Sequence, residues 1–277
     1  MHGAVLSLGL LSLAFVLPCA SAGTAAGAAA LPESRPEARP EGAISPPRGL
    51  HRTWGSGHGF DTCSAPPLPA MAAWRKAYSI ANIYIGGGAR ACRQPHLDRG
   101  WVRAVRRLGY RLIPTYVGPQ APCTRFRHRF AAGEAEERGW DSAEQAVISA
   151  QRLGIPERQP IYYDMEAYGG RERCRRAVMT FLGAWSERME ELGYVPGVYS
   201  SAASAIRHLA EADDITRPSA IWYARWDEEP GPYGDRHVPD HLWSRHQRIK
   251  QYRGGHYEKH GGIRMNVDSN YVDGPVY

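Results

Sequence analysis

Positions 161–168 read Ile-Tyr-Tyr-Asp-Met-Glu-Ala-Tyr, directly after Pro160. A short apolar and aromatic run bounded by turn-forming residues has the pattern of a buried strand. Side chains alternate across a strand, so Asp164 and Glu166 are expected on one face with Cα atoms about 6.5 Å apart. At that spacing burial and mutual repulsion can keep one carboxyl protonated while the other ionises, the pairing that general acid/base hydrolysis requires. An isolated Asp-x-Glu is more often a strand end that pairs with arginine. The surrounding chain has to decide between the two.

Outward from this stretch the chain alternates helical and strand patterns. Leu108-Gly109, Leu153-Gly154 and Leu192-Gly193 each close an amphipathic stripe and lead into an apolar run. Glycine takes the left-handed conformation that ends a helix. Trp101, Val102, Val105 and Leu108 keep helical spacing, and a longer stripe runs from Ala177 through Trp185 to Leu192. Asp141 with Glu144 resembles a capping-box start for the helix between them. Strands are expected over 58–61, 80–85, 111–116, 161–166, 195–199, 221–224, 249–252 and 265–268, with further helices near 71–78 and 202–209. Alternation of this kind predicts an α/β fold with parallel strands, and eight strands fit a closed TIM-type (β/α) barrel. Five helices are expected, because Gly, Pro and His fill the segments between the last three strands and leave their helices short or missing.

A barrel of this type gathers function at the carboxyl ends of its strands. Asp61 falls at the end of the first strand, Tyr84 in the second, Tyr116 at the end of the third, and Asp164 with Glu166 at the end of the fourth. Tyr199 ends the fifth, Arg225 and Trp226 follow the sixth, Gln251 ends the seventh with Tyr252, and Asp268 ends the eighth. Each residue alone is ordinary; their recurrence at one end of successive strands predicts a functional face.

The chain has 277 residues and a formal net charge of +6. Residues 1–22 read as a signal peptide: an apolar run too short to span a bilayer, then Ala20-Ser21-Ala22 as a small-x-small cleavage site. No integral membrane span is expected. Residues 23–56, rich in Ala, Pro, Glu, Arg and Gly, read as a disordered linker, leaving 57–277 for the barrel domain. Cys63, Cys92, Cys123 and Cys174 remain after cleavage, an even number that suggests two disulfides in an exported chain. Of the three possible connectivities, strand adjacency favours Cys63 with Cys92 and Cys123 with Cys174, each worth about 2–4 kcal/mol.

The ordered motifs Gly59-Phe60-Asp61-Thr62-Cys63, Tyr84-Ile85-Gly86-Gly87, Pro114-Thr115-Tyr116-Val117-Gly118, Tyr163-Asp164-Met165-Glu166, Gly197-Val198-Tyr199-Ser200 and Ile221-Trp222-Tyr223-Ala224-Arg225-Trp226 resemble the glycoside-hydrolase-like domain catalogued as domain of unknown function family 1906. Gln251-Tyr252 and Val267-Asp268 continue the match. That domain is similar to glycoside hydrolase family 25, lysozymes that cut the glycan of peptidoglycan from a barrel with five helices and three plain final strands. The resemblance implies Glu166 as the catalytic acid, Asp164 as the carboxylate two residues before it, and Asp61 and Asp268 as the aspartates that complete the site. Tyr84, Tyr116, Tyr199, Trp222, Arg225, Trp226 and Gln251 are the expected substrate-binding residues.

Other chemistries fit poorly. Gly86-Gly87-Gly88 lacks the spacing of a dinucleotide loop. The paired histidines His237 with His241 and His256 with His260 sit among Pro and Gly rather than on a helix, so no metal and no cofactor is expected. No Gly-x-Ser-x-Gly elbow occurs. The basic residues are scattered and carry no nucleic-acid-binding motif. The expected protein is a secreted or cell-wall-associated monomer that hydrolyses peptidoglycan or a related cell-wall polysaccharide by carboxylate acid/base catalysis; the other reading is a carbohydrate-binding or wall-associated module on the same barrel without turnover.

Overall fold

The structure, a computed structural model, describes residues 54–277. The expected signal peptide and residues 23–53 of the expected linker lie outside the described residues. Eight strands form one closed barrel in sequence order: β1 Trp54–Asp61, β2 Ile80–Gly86, β3 Arg111–Tyr116, β4 Pro160–Asp164, β5 Val195–Ser201, β6 Ala220–Ala224, β7 Arg248–His260 and β8 Ile263–Pro275. The first strand begins at Trp54, so the last three residues assigned to the linker belong to the barrel wall.

Five α-helices cover the outside: α1 Leu68–Trp74, α2 Arg99–Arg107, α3 Ala135–Leu153, α4 Glu172–Glu191 and α5 Arg207–Glu211. The Asp98 side chain caps α2 by accepting the N–H of Trp101 at 2.7 Å. Gly109, Gly154 and Gly193 have φ of 93°, 78° and 77°, the left-handed endings expected from the sequence. The capping-box expectation at Asp141 is not met. A short 3-10 turn at Ala132–Glu134 leads into α3 six residues earlier, and buried Ala135, Gly139 and Ser142 carry the apolar stripe back to that point. Asp141 is instead inside the helix, paired with Arg138.

Strands β1 to β7 are mutually parallel, as the alternation predicts. The eighth differs. β8 runs antiparallel to both β7 and β1 and closes the barrel between them. Strands β7 and β8, each 13 residues, form a hairpin turning at Gly261 and Gly262. Asp268 therefore does not end its strand; it stands mid-strand, directly opposite Asp61, and reaches the same face because the hairpin overshoots the barrel. No helix covers the passage from β6 to β7. The fully buried Arg248 guanidinium holds that loop by donating to the carbonyls of Pro232, Pro239, Leu242 and Trp243 and pairing with Asp240 at 2.9 Å.

Two apolar layers result from strand alternation. Outward-facing residues such as Phe60, Ile83, Leu112, Tyr163 and Val198 pack with the helices. Inward-facing Ile80, Ile113, Tyr162, Trp222, Ile249 and Val272 fill the barrel itself. Nearer the carboxyl ends the lumen turns polar, with Thr115 donating to Asn82 at 2.8 Å and Trp222 donating to Asn270 at 2.8 Å. Above that level come the carboxylates.

Two disulfides tie the loops at this end: Cys63 with Cys92 and Cys123 with Cys174, at Cα separations of 5.6 and 6.0 Å. Among the described residues no helix is long and apolar enough to cross a membrane.

Candidate active site

Asp61 at the end of β1 is buried, and its Oδ2 accepts from Asn270 Nδ2 at 2.6 Å and from Gln251 Nε2 at 3.1 Å. Tyr84 reaches its Oδ1 at 3.5 Å. Burial pushes the Asp61 carboxyl well above the usual carboxylate range, and the charge of Asp268 pushes it further. Asp268 is also raised by burial, but its hydrogen bond with Asp61 and the charge of His256 lower it.

Asp164, the last residue of β4, points into the lumen. It too is raised well above its ordinary value, first by burial and then by the charges of Glu166 and Asp61. Its Oδ1 is buried with no hydrogen-bond partner among the described residues, an open acceptor of the kind that invites a ligand. Glu166 lies just beyond the end of β4 rather than within the strand. Its carboxyl is raised by burial and by Asp268, against a lowering hydrogen bond from the Ala167 backbone. Four carboxyls whose proton affinities all rise within one site mark the place where a carboxylic acid and a carboxylate can be set apart for acid/base chemistry.

Since the strand stops at Asp164, something other than the sheet places Glu166. Gln120, fully buried in the loop after β3, donates from Nε2 to the Asp164 carbonyl at 2.8 Å and accepts the Glu166 N–H on Oε1 at 2.8 Å. One amide thus holds both ends of Asp164-Met165-Glu166.

Two hollows open at this face. The first, of about 280 Å³, is lined by Asp61, Tyr84, Asp164, Glu166 and Asp268 together with Arg90, Gln120 and Phe126. The second, of about 390 Å³, is lined by Glu166, Tyr199, Arg225, Trp226, Arg236 and His237 among others. Glu166 is the residue the two share. Trp226 is 66 % exposed; its Nε1 donates to Gln251 Oε1 at 2.9 Å, beside the Tyr199 hydroxyl at 3.1 Å. Its ring lies so close over Gly254 that a Cβ there would meet it at 2.7 Å. Glycine is what lets the indole lie flat, with its other face open.

Not every expected binding residue faces the cleft. Trp222 is 1 % exposed, inside the barrel, with its ring 4.6 Å from Tyr199. Tyr116 points outward, packed near Tyr163 and Trp185 beneath the helices, because Thr115 takes the inward position on β3. Both are structural aromatics. Arg225 borders the second hollow, and its guanidinium is committed to Asp227 and Asp235. Sequence reasoning missed Gln120, Asn270, Arg90 and Phe126. Asn270 was accessible, being two residues from Asp268 on an alternating strand. The other three lie in loops that carry no periodic signal. Among the described residues no cluster of His, Cys, Asp and Glu is arranged to hold a metal ion.

Residues 72–272 match the family described as Rv2525c-like, glycoside hydrolase-like domain. No curated protein matches the chain. Among solved structures, the Tat-secreted protein Rv2525c of Mycobacterium tuberculosis superposes with a TM-score of 0.56 at 17 % identity, covering 79 % of this chain and 96 % of that one. The spore cortex lytic enzyme SleM of Clostridium perfringens gives 0.54 at 13 % identity, over 78 % and 67 %. The modular autolysin LytC of Streptococcus pneumoniae gives 0.52 at 15 % identity, over 77 % and 46 %. At these identities the likeness is one of fold.

Proposed function

Because the chain belongs to the Rv2525c-like, glycoside hydrolase-like domain family, we propose that it is an exported glycoside hydrolase acting on peptidoglycan or a related cell-wall polysaccharide. One observation carries the reading: Glu166, its carboxyl raised by burial, is the residue common to two adjoining hollows. A glycan laid across both would bring a glycosidic oxygen beside it.

In that arrangement Glu166 protonates the leaving oxygen as the C–O bond breaks. Asp164, or the substrate's own acetamido group, stabilises the oxocarbenium-like centre. Water then attacks the anomeric carbon and returns a proton to Glu166. Asp61 and Asp268 hold the sugar or the water and, through the charge of Asp268, keep Glu166 protonated. Trp226 stacks on a sugar face in the second hollow.

The choice of polymer draws on the neighbours. SleM is a spore cortex lytic enzyme, and LytC is an autolysin solved in complex with a synthetic peptidoglycan ligand. Export fits the two disulfides, which persist in oxidising compartments, and Rv2525c is itself Tat-secreted.

The test is release of reducing ends from peptidoglycan and from chitin-like oligosaccharides by the protein and by Glu166→Gln. Release by the first alone supports the reading. Glycan binding by both with release by neither would instead identify a binding module.

A further inference from the structure

Arg90 is the only cation among the residues that line the first hollow, where it faces four carboxyl groups. It pairs with none of them; among the described residues it forms no ion pair. Strand β2 and the loop after it hold its guanidinium instead: Nε donates to the Gly87 carbonyl and Nη1 to the Tyr84 carbonyl, both at 3.3 Å. Nη2 has no hydrogen-bond partner among the described residues. Backbone acceptors therefore fix the charge at the wall of the hollow and leave Nη2 to donate elsewhere.

The loops that reach this hollow carry further positive charge. Arg125 and Arg127 flank Phe126, which lines the same hollow, and Arg93 follows Cys92, which also lines it. All three are exposed, and none is ion-paired among the described residues. Their loops are the ones the disulfides fix, one through Cys92 and the other through Cys123. The Arg125 loop is pinned again where Gln120 exchanges backbone hydrogen bonds with His128 and Phe130. Covalent tethering of loops whose charges have no internal partner points to an external one.

We propose that the glycan entering the first hollow carries a carboxylate on its sugar ring or ring substituent, and that Arg90 pairs with it. This rests on the hydrolase reading above and names the substrate class of that site. A guanidinium nitrogen without a partner suits a carboxylate, which accepts from it a charge-assisted N–H bond. Burial raises the proton affinity of Asp61 in the same hollow, which lessens the repulsion an added anion meets there. A neutral glycan would leave Arg90 solvated and gain nothing from it.

The experiment uses Glu166→Gln, which is expected to hold substrate without cutting it, and titrates two forms of one ligand by calorimetry. The ligand is the peptide-free tetrasaccharide of alternating N-acetylglucosamine and N-acetylmuramic acid, offered with free carboxyls and with each carboxyl converted to the carboxamide. The free acid should bind about tenfold tighter at low salt, the factor expected of one charge-assisted pair. Adding Arg90→Gln should bring the ratio close to one. Arg90→Lys, which keeps the charge but loses the fork, should retain part of it and guards against a loop that has merely loosened. Equal affinity for the two forms, or a preference for the acid that survives Arg90→Gln, overturns the proposal. If the wild-type protein cuts both forms while binding them equally, the hydrolase reading stands and only the role of Arg90 falls. If it neither binds nor cuts either form or chitin-like oligosaccharides, both fall together.

Discussion

The side-chain oxygen of Gln120 accepts the backbone N–H of Glu166 at 2.8 Å. This bond places the proposed acid, because β4 has already ended at Asp164. The other end of the same amide donates to the Asp164 carbonyl, so two carboxylates that the strand pattern alone would not fix are held by one loop residue.

Gln120→Leu should therefore lower kcat by about tenfold to a hundredfold with a smaller change in KM, since misplacement of a reacting group acts on the transition state. Gln120→Glu, which keeps the acceptor for Glu166, should recover part of the loss. Steady-state kinetics beside a thermal melt checks this; equal kcat in wild type and Gln120→Leu would remove Gln120 from the mechanism.

The charge of Asp268 raises the Glu166 carboxyl, second to burial. Activity that needs protonated Glu166 is lost as pH rises through its raised value. Asp268→Asn removes the charge, so the alkaline limb of the kcat/KM profile should move to lower pH. An unmoved limb would contradict this placement of charge.

Stability should show the same carboxyls with a definite sign. Asp61, Asp164, Glu166 and Asp268 are all raised in the folded protein, so the folded state binds more protons than the unfolded chain above the ordinary carboxylate value. Their contribution is fully present below that value and is lost as pH climbs through the raised ones. Denaturant unfolding as a function of pH should find that Asp61→Asn, which keeps a side chain able to hydrogen-bond but cannot ionise, flattens this decline. A decline as steep as that of the wild type would contradict it.

Trp226 and Trp222 separate a binding aromatic from a structural one. Trp226→Ala should weaken glycan binding by about tenfold, the scale of a stacking contact with an exposed indole, while the melting temperature changes little. Trp222→Ala should instead cost about 3–5 kcal/mol of stability, because it empties a filled barrel interior. The reverse pattern would mean that the two roles had been exchanged.

Much of this was legible in the sequence, for physical reasons that differ from residue to residue. The period of the apolar stripes and the glycines at 109, 154 and 193 mark helices and their ends, so the order of elements could be read directly. The direction of β8 could not, since alternation along a strand is the same whichever way it runs; its register against β1 and β7 reveals it. Tyr116 shows the limit of reading strand ends without parity. Thr115 next to it is the inward residue, and a strand admits one or the other. Gln120 and Arg90 were invisible because loop conformation depends on tertiary contacts rather than on a repeating pattern.

The most direct measurement of the central claim is release of reducing ends from purified peptidoglycan by the wild-type protein and by Glu166→Gln at equal concentration. The account predicts release by the wild type and none above background by the variant, with binding to the glycan retained in both. Equal release by the two proteins would contradict Glu166 as the acid, and release by neither, with binding intact, would contradict hydrolysis itself.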